Sequence, residues 1–444
     1  RGLFHRVSGG QLAGGAEAPI NPAVSPQDAR ACIETANAAV VIGDRDLARD
    51  LAIDPARIVD MATVEPRPLA DLPGRPVPAE AWGKILFTSG TTGAPKAIVH
   101  SQRGRWLANL LMRATLPRAP SAGERLLLLA PFAHGASLMT YAFLDGGATV
   151  ELPQRIDAAR AAERLASGDI GSVMASPTVL SRLADVLEGT RIEGVHTIYC
   201  GTAPLSGALY RRVRAIFGPV VRIAYGQSEM FNPIATLTPW ETDRYYEEGQ
   251  APGECCVGWP ASGVEIRIDV DGAVMARSPH MLAGTIVGKD FRPHPTDAFH
   301  RTGDIGHLDA RGRLVLRGRE ADIMKTGGYR VAPDEVEAML RPFVGRGEIA
   351  VFGLPSEHWG EIVAVAGAGV DADWIARLPL GTMTAYKRPR LFVRLPELPV
   401  NALGKVVRGR LRAITLERYR LVDGAYPLLE PHAAETEPAG EGGR

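Results

Sequence analysis

The reading of this chain turns on Lys84-Ile-Leu-Phe-Thr88-Ser-Gly-Thr-Thr-Gly-Ala-Pro-Lys96. Lys84 to Thr88 is apolar and β-prone enough to form a buried strand, and the glycines that follow break it into a loop. Thr88, Ser89, Gly90, Thr91, Thr92, Gly93 and Lys96 then gather hydroxyls, backbone N–H groups and one ammonium, the donors that can surround phosphate oxygens. The spacing is not G-x-x-x-x-G-K-[ST], so the segment is not a Walker loop. Taken alone it also reads as a surface turn. A helix over residues 103–115 is expected to follow the loop.

Outward from that loop, helix-like and strand-like stretches alternate over residues 22–187, the pattern of an α/β layer architecture. Ser25 reads as a helix cap, Ala38-Ala-Val-Val-Ile and Arg125–Leu129 as strands, and Ala158–Ala166 as a helix. Over residues 263–316 short strands broken by Asp-Gly and Arg-Gly turns suit a small β-rich subdomain. Beyond residue 320 a helix starting at Pro333 and strands at Glu348, Glu361 and Arg390 suit a compact α/β module of about ninety residues. Residues 432–444 are poor in large apolar side chains and are expected to be disordered.

A length of 444 residues allows two to four domains. With 45% hydrophobic and 23% charged residues the composition is that of a globular protein. Lys+Arg 50 against Asp+Glu 50 leaves no basic field, which disfavours a nucleic-acid partner. The longest apolar run, residues 126–132, is far short of the roughly 20 residues that span a bilayer, so no membrane span is expected. Cys32, Cys200, Cys255 and Cys256 form neither a disulfide framework nor a C-x-x-C metal pattern, so reduced thiols and a cytoplasmic location are expected. The chain starts at Arg1 without a recognisable leader, and its true N-terminus is expected to lie further upstream. Of the 50 basic residues only six are lysine, so a retained lysine draws attention to sites where a compact ammonium is wanted, Lys96 and Lys405 among them.

Several segments, in order, resemble the adenylate-forming superfamily of acyl-CoA synthetases, peptide-synthetase adenylation domains and luciferases. Residues 88–96 are similar to its phosphate loop, and Ala224-Tyr225-Gly226-Gln-Ser228-Glu229 to its Tyr-Gly-x-Thr-Glu segment. Gly201-Thr202-Ala203-Pro204 resembles its Gly-Gly-Ala-Pro turn, and Arg301-Thr-Gly-Asp304 its Thr-Gly-Asp. Gly318-Arg319-Glu320-Ala321-Asp322 and the following Gly327-Gly328-Tyr329 resemble the hinge region; Pro399-Val-Asn-Ala-Leu-Gly404-Lys405 resembles the C-terminal Gly-Lys loop. Pro131-Phe-Ala133-His134-Gly135 and Ala175-Ser176-Pro-Thr are similar to segments beside the acyl group, although His134 also reads as a structural histidine.

The resemblance implies an α/β fold with a large N-terminal domain of layered α/β subdomains and a small β-rich subdomain, residues 1–319. It further implies a small mobile α+β C-terminal domain, 320–412, followed by an extension, 413–444. The implied activity is an ATP-dependent carboxylic acid:CoA ligase that forms acyl-AMP and pyrophosphate, then acyl-CoA and AMP, with ATP, Mg2+ and CoA as cofactors. The catalytic roles fall to Lys405, Glu229 and Ser228, with Glu229 the metal carboxylate. Thr88 to Gly93 and Lys96 would bind phosphates; Gly201, Thr202, Ala203, Pro204, Tyr225, Gly226, Asp304 and Arg319 would bind adenine and ribose. Ala133, His134, Gly135 and Ser176 would line the acyl pocket, Gly327, Gly328 and Tyr329 the CoA passage, and Glu320 and Ala321 the hinge.

Some positions depart from the pattern. Thr202 replaces a glycine, and a β-branched residue there is expected to keep the turn at conventional backbone angles. Ala321 takes the place of the usual hinge Asp or Lys, and Ser228 that of a Thr. Gly14-Gly-Ala-Glu-Ala-Pro-Ile-Asn-Pro22 resembles a segment well inside the N-terminal domain, so the domain's opening elements are expected to be absent. The chain would be a fragment or a shortened member. Two other readings stand beside the ligase: a stand-alone adenylation enzyme that loads a carrier protein's phosphopantetheine, and a truncated nucleotide-binding protein without turnover.

Overall fold

The computed structural model describes residues 14–21, 24–44, 46–64, 76–89, 95–295, 297–345, 347–401 and 405–432. Five strands, Arg125–Leu129, Thr149–Glu151, Ser172–Ala175, Thr197–Cys200 and Val221–Tyr225, pair in parallel. Helices Ser137–Asp145, Ala158–Ala166, Pro177–Val186 and Gly207–Phe217 make the crossovers between them. Successive side chains of a strand point to opposite faces, so a strand covered on both sides must be apolar throughout. Accordingly Leu126 and Leu128 pack with Met112, Met139 and Phe143, while Leu127 and Leu129 pack with Leu165, Leu180, Leu183 and Val213. Ser176, Ser206 and Asp157 start the next three helices by accepting from Val179 N, Leu209 N and Arg160 N.

The β-rich stretch is hydrogen-bonded onto this parallel part. Ala235–Leu237 pairs antiparallel with Val221–Tyr225 on one side and Cys255–Pro260 on the other. From there the sheet continues through Leu314–Arg319, His300–Leu308, Ala273–Arg277 and Glu265–Ile268 to reach eleven strands. A second, four-stranded antiparallel sheet joins Trp82–Ser89, Pro95–Ser101, Gly284–Val287 and Asp290–Pro293.

That second sheet changes the surroundings of the hydroxyl loop. The loop joins the two strands of a hairpin, with Thr88 opposite Lys96, and the helix Gln102–Ala114 begins only after the second strand. The reason lies in Ala97-Ile98-Val99, three consecutive buried residues that fill a strand covered on both faces. Ser101 then ends the strand and starts the helix, its Oγ accepting from Gly104 N at 3.0 Å.

A third sheet collects the later strands: Met324–Thr326, Tyr329–Val331, Glu348–Ser356, Gly360–Ala368 and Leu391–Leu395. Val336, Leu340 and Val344 of helix Pro333–Val344 cover one face with Ile349, Val351 and Val363. Leu411 of helix Arg408–Arg418 lies on the other with Ala350, Phe352 and Ala364. The 3-10 turn Glu320–Asp322 connects the last strand of the eleven-stranded sheet to this third one. All four cysteines are buried free thiols. Among the described residues no helix is long and apolar enough to cross a membrane. The tail expected to be disordered lies, from residue 433 on, outside the described residues.

Candidate active site

In an open α/β sheet the carboxyl ends of the parallel strands leave a crevice for ligands. Four of the segments singled out from the sequence stand there. Leu129 leads into Phe132–Ala136, a π-helical turn of the kind often found at functional sites. Ala175 leads into Ser176, Cys200 into Gly201, and Tyr225 into Gly226.

The Tyr225 hydroxyl donates to Asp304 Oδ2. Gln227 Nε2 donates to the same oxygen at 2.7 Å and to Thr302 O at 2.9 Å. On its other oxygen Asp304 pairs with Arg319 Nε at 2.9 Å. Strand pairing places Asp304 directly opposite Arg319. Asp304 is buried, and burial raises its carboxyl above the usual range although Arg319, Tyr225 and Gln227 pull the other way. Tyr225 stays a phenol, because burial and the neighbouring carboxylate push its hydroxyl well above the ordinary value. The outcome is a carboxylate held by three donors, from Tyr225, Gln227 and Arg319.

Lys405 is in electrostatic range of Asp304 and Arg319. It is anchored by its backbone, Lys405 N donating to Asn401 Oδ1 at 3.0 Å and Asn401 N to Lys405 O at 2.8 Å. Burial first and then Arg319 lower its ammonium below the ordinary lysine range, against the pull of Asp304, Asp334 and Asp322. At the hairpin, Lys96 Nζ lies 4.0 Å from Glu229 Oε1, with the two side chains 44% and 22% exposed. His300, on the strand that carries Asp304, is in electrostatic range of both. Gln227 ties the two groups together, since it bonds Asp304 and stands two positions before Glu229.

Glu229 offers one hard carboxylate beside Lys96, and among the described residues no group of three or more His, Cys, Asp or Glu could hold a metal unaided. This fits Mg2+, which keeps near-octahedral geometry and is usually held by one or two carboxylates together with substrate phosphates.

Thr202 corrects an expectation. Its φ is +70°, in the left-handed region, so the turn after Cys200 is unconventional in spite of the β-branched side chain. The preceding Gly201 is tied to close approach, because a Cβ there would stand 2.6 Å from Ala224 O. Gly226 is similar, with Asn232 Cα 2.7 Å from where its Cβ would be.

Ser176 uses its hydroxyl to cap the helix Pro177–Val186. Ala133 is buried, and among the described residues a Cβ added to Gly135 would meet nothing within 4 Å. Gly327 and Gly328 have φ of +55° and +83° and turn the chain into the edge strand Tyr329–Val331. Tyr329, 55% exposed, stacks on Tyr386 with ring centroids 4.2 Å apart, on the third sheet and away from the Asp304 group. Gly90, Thr91, Thr92, Gly93 and Gly404 lie outside the described residues, as do the side chains of Ser89 and His134.

Gln227, His300 and two buried histidines, His100 and His280, were not singled out from the sequence. Gln227 could have been, since it stands between residues that were. The histidines carry a weaker signal, a polar ring inside the apolar run Ala97-Ile-Val-His100.

The fold and this crevice define a carboxylate-activating enzyme of the adenylate-forming kind. The chain belongs to the AMP-binding enzyme family, whose pattern it matches over residues 7–287. It is 27% identical over 345 residues to a 2-succinylbenzoate–CoA ligase of Listeria monocytogenes, covering 75% of this chain and 71% of that protein. A 4-chlorobenzoate–CoA ligase of Arthrobacter is 32% identical over 356 residues, 74% of this chain and 65% of the relative. Its fold also matches that of the O-succinylbenzoate coenzyme A synthetase of Bacillus subtilis in complex with ATP and magnesium. There the TM-score is 0.75 with 22% identity, over 93% of this chain and 87% of that one.

Proposed function

We propose that the protein is an ATP-dependent carboxylic acid:CoA ligase and that its acid is aromatic. The observation that carries the reading is the position of Lys405, brought by the C-terminal segment onto the Asp304–Arg319 pair, on the same rim as Lys96 and Glu229. Both curated relatives named above are CoA ligases of benzoate-type acids, and the space left open beside Gly135 by the described residues suits a flat ring.

In the first half-reaction a carboxylate oxygen of the acid attacks the α-phosphorus of ATP, and the bond from that phosphorus to the pyrophosphate oxygen breaks. Lys96 and the hairpin loop hold the phosphates, and Asp304 takes the ribose hydroxyls. The Lys405 ammonium stands where negative charge builds on the α-phosphate and lowers the barrier electrostatically. Mg2+, when bound, neutralises phosphate charge, and Glu229 is the residue that would hold it. In the second half-reaction the CoA thiolate attacks the acyl carbon. The carbon–oxygen bond to AMP breaks, AMP leaves as the phosphate anion, and the thiol proton goes to solvent. For that step we propose that residues 320–412 turn about Glu320 and Ala321, moving Lys405 out and bringing Gly327, Gly328 and Tyr329 to the crevice.

Pyrophosphate release with Mg·ATP and a panel of benzoate-type, fatty and small acids, with and without CoA, tests this. Acid-dependent release that drops by roughly 100-fold or more in Lys405→Ala is expected, with thioester formed only when CoA is present. Release without any CoA thioester would move the acceptor to a carrier protein, and no release with any acid would overturn the ligase reading.

A further inference from the structure

Glu229 sits at the corner of a turn in which each backbone carbonyl from Ser228 to Phe231 is bonded. Glu229 O accepts from Leu282 N at 2.8 Å, and Met230 O accepts from Gln227 N at 2.9 Å. The carbonyls on either side are taken by imidazoles. His100 Nε2 lies 2.7 Å from Ser228 O, and His280 Nε2 lies 3.0 Å from Phe231 O.

A carbonyl oxygen can only accept, so both Nε2 atoms must carry the proton. Both rings are fully buried, and burial pushes His100 down to about 3 and His280 down to about 4, which keeps them neutral. His280 is fixed in that tautomer from behind, with Ser278 Oγ 2.8 Å from its Nδ1. His100 is fixed by stacking, its ring centroid 3.7 Å from that of Phe231 at an interplanar angle of 23°. Thus the turn that carries Glu229 is gripped from strand Pro95–Ser101 and from the segment after Ala273–Arg277. A buried polar ring costs free energy unless it is bonded, and leucine would fill either place without that cost. What the rings add is geometry: they fix the backbone from which the Glu229 carboxylate reaches toward Lys96.

Resting on the reading of Glu229 as the Mg2+ carboxylate, we infer that His100 and His280 are positioning residues that hold Glu229, through Ser228 O and Phe231 O, where it meets the metal arriving with ATP. Groups behind a metal ligand are worth roughly 10- to 100-fold in metal affinity or activity, which sets the size of the effect to look for.

The experiment compares wild type, His100→Phe, His100→Gln, Glu229→Gln and the double variant H100F/E229Q. Phe keeps the stack on Phe231 and removes the donor, whereas the Gln Nε2 can still reach Ser228 O. ATP binding is measured by calorimetry in EDTA and in saturating Mg2+, beside the Mg2+ concentration that half-saturates pyrophosphate release. H100F is expected to bind ATP normally in EDTA, to lose most of the Mg2+-dependent gain, and to need roughly 10-fold more Mg2+. H100Q restores the gain, and H100F adds nothing to E229Q. Normal Mg2+ dependence in H100F beside a loss in E229Q would overturn the inference and leave the role of Glu229 standing. Normal Mg2+ dependence in E229Q would instead remove the reading beneath it. Should H100F melt too low to assay, His280→Leu removes the donor to Phe231 O at similar volume, and a severalfold rise in half-saturating Mg2+ is expected. An unchanged value in H280L overturns the inference.

Discussion

Lys405 does its proposed work as a cation, and its surroundings decide how far up the pH scale it stays one. Burial and Arg319 lower its folded value below the ordinary 10.5. The charge is lost as pH rises through the lowered value. Because kcat/KM reports ionisations of the free enzyme, kcat/KM for ATP should fall along an alkaline limb whose midpoint lies below 10.5. Lys405→Arg keeps the charge at every such pH and should abolish the limb while lowering the rate; a limb that persists in that variant would assign it to another group. Thr202 makes a different demand. A non-glycine residue in the left-handed region costs about 1–3 kcal/mol, and a β-branched one belongs at the upper end. Glycine there gives back part of the gain through the entropy of the unfolded chain, about 0.5–1 kcal/mol. Thr202→Gly should then stabilise the protein by about 2 kcal/mol, seen as a higher urea midpoint with an unchanged slope. A lower midpoint would mean that the threonine side chain contributes more than its backbone costs. The strain stands beside the proposed adenine site, where a fixed turn is useful.

Among the elements, the start of helix Arg408–Arg418 is held by one side chain. Arg408 Nη1 pairs with Asp322 at 2.9 Å, its Nη2 with Asp334 at 2.5 Å and Glu337 at 2.8 Å, and its Nε donates to Val351 O at 2.9 Å. Removing one partner of a buried pair costs about 3–5 kcal/mol because the opposite charge is left unpaired, and here three carboxylates would be left. Arg408→Met should therefore destabilise the protein by about that amount, with hydrogen exchange faster throughout the third sheet. Lysine should not rescue it, since one ammonium cannot reproduce the planar fork; recovery by lysine would show that charge alone matters. Lys405 stands three residues upstream, so the same variant should slow pyrophosphate release more than its melting temperature explains. The strand Arg125–Leu129 and the helix Ala158–Ala166 were legible in the sequence, because an apolar run such as Leu126 to Leu129 bounded by polar turns is a local signal. Three things were not. The strand Pro95–Ser101 carries the same apolar run that could open a helix, and only its pairing with Trp82–Ser89 and Gly284–Val287 decides between them. Thr202 obeys tertiary position over its own preference. The grip of His100 on Ser228 spans 128 positions, which no local pattern announces.

The whole molecule must serve two reactions with one crevice, and Gly253 shows where the arrangement seen here is held together. Gly253 lies in the loop before Cys255–Pro260, on the large sheet, with φ of +77°. It abuts Glu335 in the first turn of helix Pro333–Val344, which belongs to the third sheet. A Cβ at Gly253 would stand 2.7 Å from Glu335 N and 2.9 Å from Glu335 Cβ, too near for either backbone to yield cheaply. Two further contacts cross the same seam: Gly318 lies where a Cβ would be 3.4 Å from Asp334 Oδ2, and Lys405 faces Asp304 and Arg319. The seam belongs to the arrangement in which Lys405 faces Asp304 and Arg319, the one proposed for adenylate formation. If residues 320–412 turn away for thioester formation, Gly253 and Glu335 part, and a methyl group between them no longer matters. Gly253→Ala should therefore slow acid-dependent pyrophosphate release by roughly 10-fold or more, the effect of displacing a catalytic group by about 1 Å. Thioester formation from added acyl-AMP and CoA should stay near the wild-type rate. Positive φ adds some backbone strain in every state, so the two rates are compared within the same variant. Equal losses in both half-reactions would mean that the seam persists through the cycle, and that the two chemistries share one arrangement of the chain.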